Sequence, residues 1–263
     1  MKKRLIMAAA ALALTHAGFA QSADLTEQQL TQILKHQDRP EGDSKRDNAR
    51  LPAKVMAFTG ISKGDNILDL FAGGGWYTEL FSRAVGPEGK VYAQNDEVIW
   101  RFAEQRITKR TADNRLPNVK RFDNMAIVDI NVPDESLDVV FTALNYHDLF
   151  FTETNRDGII TKLRDDVVDY KTTLTHIKKA MKPDGVFVII DHFAKPGSGY
   201  EAANTVHRID PDIVKFQMDA MGFELLEEAF YLRNPGDDLN KSVFDPNLRG
   251  KTDRFIYKFG KKQ

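Results

Sequence analysis

From residue 67 onward, short apolar runs alternate with longer stretches whose apolar positions return at helical spacing. The apolar runs at 67–71, 91–93, 119–122, 137–144 and 186–190 are strand-like. The intervening segments read as helices starting at Trp76, at about Glu97 and at about Val167, the last ending at Met181. Strands that read as near-continuous apolar runs are buried on both faces, so this alternation predicts an α/β fold with a parallel sheet between helices. Beyond it, residues 213–222 read as a helix, and 223–232 and 254–259 as strands. Ahead of the first strand, residues 25–35 read as a helix, 36–48 are polar, and Pro52 opens a short helix through Phe58.

The first twenty residues break this pattern. Lys2, Lys3 and Arg4 precede an apolar run over 5–14, followed by Gly18, Phe19 and Ala20. That order of basic, apolar and small residues is the layout of a secretory leader, with cleavage expected after Ala20 and a periplasmic destination. Ten apolar residues are too few to span a bilayer, so no stable membrane insertion is expected once the leader is gone. The expected organisation is therefore leader 1–20, an N-terminal helical cap over 21–51, and one catalytic-size domain over 52–263. Losing the leader moves the formal charge from −1 to −4, which argues against a nucleic-acid partner. With no cysteine in the chain, disulfides and thiolate chemistry are excluded.

Candidate chemistry concentrates in residues 66–78, NILDLFAGGGWYT, where an apolar strand ends in Asp69 and breaks at Gly73, Gly74 and Gly75 before a helix start. Glycine adopts positive φ without steric cost and admits a ligand close to the backbone. A carboxylate beneath such a turn is suited to an amine. A dinucleotide fingerprint would need a third glycine where Thr78 stands, which disfavours a nucleotide-dependent oxidoreductase.

With an acid four residues before G-x-G, the segment resembles motif I of class I S-adenosylmethionine-dependent methyltransferases. Lys182-Pro183-Asp184-Gly185 between a helix and a strong strand is similar to a second step of that family, and the layout over 52–259 resembles that of exported predicted methyltransferases of bacteria. The resemblance implies a Rossmann-like, doubly wound, mostly parallel seven-stranded sheet closed by an antiparallel C-terminal hairpin, and S-adenosyl-L-methionine as cofactor. It places Asp69, Ala72, Gly73, Gly74, Gly75 and Thr78 around the methionine moiety. At the ribose position the family has an acid where this chain has Asn95; the Asn95 amide, or Asp96 after a one-residue shift, is expected to meet the ribose hydroxyls. Asp123, Asn124 and Met125, after the third strand, are expected toward the adenine, and Asn145 near the methyl group.

Ligands of open α/β sheets lie beyond the carboxyl ends of the strands. There His147 is the expected general base, since imidazole titrates near neutrality, and Asp148 and His192 join it as candidate catalytic residues. Tyr77, Tyr146, His207 and Arg208 are candidates for holding the acceptor, Arg208 through a bidentate pairing with a carboxylate or phosphate. His147, Asp148, Asp191 and His192 include metal-ligating types, but without H-x-x-x-H or H-E-x-x-H spacing no metal is expected. The polar stretch 234–253 is expected as a lid and 148–166 as the opposite wall. These readings predict methyl transfer to a small-molecule acceptor; the alternative is an exported binding protein that keeps the fold without catalysis.

Overall fold

A computed structural model describes residues 23–156 and 158–263. The expected leader lies outside the described residues. The cap comprises α1 (Glu27–Ile33), a 3-10 turn at Asp43–Arg46 and α2 (Asp47–Arg50). Thr26 starts α1 with a capping box, its hydroxyl accepting from Gln29 N–H while the Gln29 side chain returns to the Thr26 backbone. Leu25 and Leu30 are buried against α3 (Pro52–Thr59), which Pro52 opens and Gly60 closes in the left-handed conformation.

The sheet follows in the order expected for a doubly wound fold. β1 (Asn66–Leu70), α4 (Trp76–Val85), β2 (Lys90–Asn95), α5 (Glu97–Thr111) and β3 (Val119–Asp123) build one half. β4 (Leu137–Ala143), α6 (Tyr170–Ala180) and β7 (Met181–His192) build the other, with β5 (Glu153–Arg156) and β6 (Ile159–Lys162) inserted between β4 and α6. After α7 (Glu201–Val206) and α8 (Pro211–Ala220) come β8 (Phe223–Ala229) and β9 (Arg254–Lys261). The sheet runs β3-β2-β1-β4-β7-β9-β8. Its first five strands are parallel, and β9 is antiparallel to both β7 and β8.

Alternate residues of the same strands face two cores. Ile67, Val139, Phe141, Val188 and Ile190 pack toward α3 and α4, whereas Leu68, Val140, Phe187 and Ile189 pack toward α6 and α8. Both faces are covered, which is why these strands read as unbroken apolar runs.

Three features differ from the sequence expectation. The Lys182–Gly185 stretch is a bulge within β7, where pairing jumps from Leu137↔Met181 to Val139↔Val186, not a turn before the strand. A Cβ at Gly185 would meet the Leu137 carbonyl at 2.7 Å, so the bulge can pass β4 only with glycine there. Within 148–166 the chain forms a separate two-stranded antiparallel sheet, Glu153↔Lys162 to Arg156↔Ile159, which its polar, weakly alternating residues did not advertise. The helix expected from residue 167 starts at Tyr170, where Asp169 caps it by accepting from Lys171 N–H.

Candidate active site at the carboxyl edge of the sheet

Asp69 sits near the end of β1, buried, with its Oδ2 accepting the Thr78 hydroxyl at 2.6 Å. Burial pushes its carboxyl up to about 7, against the Thr78 hydrogen bonds and the positive charge of Arg50. The chain leaves β1 through Phe71 at φ 50°, a costly conformation for a bulky residue, held by Gln94, whose side chain accepts Phe71 N–H at 3.2 Å. Gln94 also donates to the Met125 carbonyl at 2.8 Å, so one buried amide ties the exits of three strands. Nothing in the sequence pattern singled out Gln94, because an amide inside an apolar run carries no motif.

Gly73 and Gly75 have φ of 57° and 75°. A Cβ on Gly74 would come within 2.9 Å of the Arg106 Cβ, and one on Gly75 within 3.0 Å of Arg110 Cδ. At Gly73 the nearest atom to a Cβ would be the Phe71 carbonyl at 4.0 Å. The second and third glycines thus let α5 pack close, while the first leaves an open cradle beside Asp69. An acid, an open backbone cradle and a following helix fit the amino-acid end of S-adenosylmethionine.

Asn95 and Asp96 both carry contacts within the protein. The Asn95 amide pins the turn, accepting Gly73 N–H at 2.8 Å and donating to the Gly73 carbonyl at 3.2 Å. Asp96 is the N-cap of α5: one carboxylate oxygen accepts Val98 and Ile99 N–H at 3.0 and 2.9 Å, and the other takes Arg164 at 2.8 Å. Its oxygens are committed to the helix and the ion pair, which corrects the expectation that Asp96 reaches the ribose. Ala72 N–H bonds the Gln94 carbonyl, Met125 N–H bonds the Asn95 carbonyl, and Asn124 turns at φ 50° between β3 and that contact.

After β4, Asn145 leads into a 3-10 turn, Tyr146–Leu149, that carries His147 and Asp148. Asp191, near the end of the neighbouring β7, accepts His147 N–H at 2.8 Å and the ring Nδ1–H at 2.9 and 3.1 Å. His147 Nε2 lies 3.5 Å from Asp148, whose other oxygen is held by the Asn145 amide at 2.8 Å. Burial pulls the His147 pKa down, but the two carboxylates outweigh it and raise it to about 9. Burial raises the Asp148 carboxyl, with His147 opposing. His192 bonds the Thr252 hydroxyl through Nδ1 at 2.7 Å and is kept neutral by burial and the neighbouring cations. Its ring centroid is 6.2 Å from that of His147.

His207 joins this group from the end of α7 at φ 54°, its ring 5.6 Å from His147, 4.5 Å from Phe151 and 4.7 Å from Phe244. Burial lowers its pKa to about 3, with His147 adding to the effect. Phe151 comes from the expected wall and Phe244 from the expected lid. His147, Asp148 and His207 present ligand atoms within 4.8 Å of one another, a spacing that could hold a metal ion.

Two expected substrate contacts are corrected. The Tyr146 hydroxyl donates to Gln217 at 2.8 Å inside the α8-side core. Arg208 is fully buried, forked onto Asp237 at 2.9 and 3.1 Å and donating to the Phe193 and Lys241 carbonyls, so it anchors the 234–253 loop and has no fork left for a substrate. Tyr77 is wedged in the α4-side core against Trp76, Phe81 and Phe141, with burial raising its phenol to about 12.

The model of a methyltransferase domain family matches residues 61–218. A demethylmenaquinone methyltransferase from Geobacillus stearothermophilus is 29% identical over 138 residues, 52% of this chain and 49% of that one; the chain thus spans about half the length of this curated relative. A SAM-dependent methyltransferase from Aquifex aeolicus superposes with a TM-score of 0.51 at 22% identity, over 84% of this chain and 99% of that one. A putative sarcosine dimethylglycine methyltransferase from Galdieria sulphuraria gives 0.53 at 13% identity, over 90% and 98%. At such identities the two structures establish the fold. Family match, sheet order and glycine corner agree: the chain belongs to the methyltransferase domain family and has the class I, S-adenosylmethionine-dependent architecture.

Proposed function

We propose that the protein moves a methyl group from S-adenosylmethionine to a small-molecule acceptor whose proton is taken by His147. One observation supports this reading most: the His147–Asp191 pair stands at the same carboxyl edge of the sheet as the Asp69–Gly73 corner. When bound, the cofactor supplies an electrophilic methyl on a sulfonium. Asp69 and the Gly73 cradle hold its amino-acid end, and Asn95 keeps one amide N–H for the ribose while it pins the turn. Asp191 holds the His147 ring with Nδ1–H bonded, so that in the neutral imidazole, the form favoured as pH rises toward 9, Nε2 receives the acceptor's proton. Most of the acceleration comes from alignment of nucleophile and methyl, for which proximity supplies roughly 7–11 kcal/mol. Phe151, His207 and Phe244 flank His147 on the acceptor side.

The basic, apolar and small residues of the leader support a periplasmic site of action, and no described helix is long and apolar enough to cross a membrane. The experiment is methyl transfer from labelled S-adenosylmethionine to a panel of hydroxyl- and amine-bearing metabolites, with demethylmenaquinone, for which the aligned relative is named, at its head. Labelled product that disappears in His147→Ala supports the reading. Tight cofactor binding with no turnover across the panel would favour the non-catalytic binding protein instead.

A further inference from the structure

Arg50 ends α2, and the next residue, Leu51, is left-handed at φ 45°, ψ 52° before Pro52 starts α3. That corner turns the Arg50 side chain inward over the start of α4. Its guanidinium carbon lies 5.1 Å from the Trp76 ring centroid and 5.8 Å from that of Tyr77, the first two helical residues after Gly75. Aromatic faces attract a cation but do not neutralise it. Neighbouring arginines are neutralised: Arg39 holds Asp47 at 2.6 Å, and Arg110 holds Asp43 and Glu79 at 2.8 and 2.6 Å. Arg50 has no acid within ion-pair distance among the described residues, although it is partly withdrawn from solvent and desolvation lowers its pKa. A partly desolvated charge without a partner is poised to gain from an anion that arrives to meet it.

Across the glycine turn stands Asp69, the opposite charge, whose hydrogen-bond partner in the structure is Thr78. The two act on each other through space without pairing. A zwitterionic α-amino acid end presents an ammonium and a carboxylate a short distance apart, the complement of this separated pair. We propose that Arg50 is the receptor for the α-carboxylate of the cofactor's methionine moiety, with Asp69 taking the ammonium. The inference rests on the cofactor reading and gives the N-terminal cap a role: α2 delivers the cation that the glycine corner lacks. Planar guanidinium and carboxylate pair as a fork, which an amine would not reproduce.

The test is a two-by-two titration calorimetry cycle on the protein with S-adenosylhomocysteine and its methyl ester, which keeps the ammonium and loses only the carboxylate charge. In the wild type the ester is expected to bind at least about tenfold more weakly, as loss of a charge-assisted pair implies. In Arg50→Met the two ligands are expected to bind alike, near the wild-type affinity for the ester, and Arg50→Lys should restore part of the preference. A preference for the free acid that persists in Arg50→Met overturns the proposal, as does its loss in Arg254→Met with Arg50 intact, since Arg254 is the other buried arginine beside Tyr77. Failure of S-adenosylhomocysteine to bind the wild type would instead remove the cofactor reading, and this inference with it.

Discussion

Asp191 grips His147 at two points, one oxygen accepting the backbone N–H at 2.8 Å and the other the ring Nδ1–H at 2.9 Å. His147 lies in the turn after β4 and Asp191 near the end of β7, so the parallel pairing of those strands fixes the imidazole's position. A base held by backbone and ring together loses little orientation when the acceptor arrives.

Asp191→Asn should therefore keep the fold and lower kcat by about 10²-fold or more, in line with what general-base help is worth. Affinity for S-adenosylhomocysteine should stay within about threefold, since Asp191 is not part of the glycine corner. His147→Ala should match it in kcat, and the double variant should be no worse than either single. Calorimetry and initial rates on the same preparations check both halves.

The pH dependence of that step follows from the raised His147 pKa. A pKa of about 9 means the imidazole is protonated at neutrality in the free protein, so the base form grows as pH rises toward 9. The expected kcat/KM therefore increases across pH 7–9, and Asp148→Asn, which removes one of the two raising carboxylates, should move the rise to lower pH. The same shift contributes stability that is complete below about 6.5 and disappears as pH climbs through about 9.

Asp69 titrates in the opposite sense for binding. With its carboxyl at about 7, it is largely protonated below that pH and cannot pair with an ammonium. Affinity for S-adenosylhomocysteine should tighten as pH rises from 5 to about 7.5 and then level, with proton release measurable from the buffer dependence of the binding heat. Unaltered affinity over that range would contradict the assignment of Asp69 to the ammonium.

Much of this was legible in the sequence. The acid-glycine corner and the alternation of strands and helices were readable because each depends on short local patterns, while the seven-stranded sheet with its antiparallel C-terminal strands followed from the family resemblance. Asp96 misled because an acid at a strand end is also the ideal N-cap for the next helix, and the N-cap won. Arg208 misled because its partner, Asp237, lies 29 positions away, and no local pattern announces a buried ion pair. Arg50 went unnoticed within a polar cap, since its significance lies in the partner it lacks.

The Arg208–Asp237 pair carries a stability prediction. Asp237→Ala leaves a fully buried guanidinium uncompensated and should cost about 3–5 kcal/mol, read as a lower denaturation midpoint. Because Asp237 also accepts Asp253 N–H at 2.8 Å, the 234–253 loop should lose protection from hydrogen exchange before the sheet does.

Chelation tests the alternative use of the His147, Asp148 and His207 group. Exhaustive treatment with EDTA should leave methyl transfer within about twofold of the untreated rate if His147 acts as a base. A large loss restored by zinc or magnesium would assign those three residues to an ion.

The central claim is that the corner from Asp69 to Gly75 holds the amino-acid end of the cofactor. Parallel titration of S-adenosylhomocysteine into the wild type and Asp69→Asn at pH 7.5 tests it most directly. One site per chain is predicted in the wild type, with binding at least about tenfold weaker in the variant, the scale of a lost charge-assisted contact. No binding to the wild type, or equal affinity in both proteins, would contradict the claim.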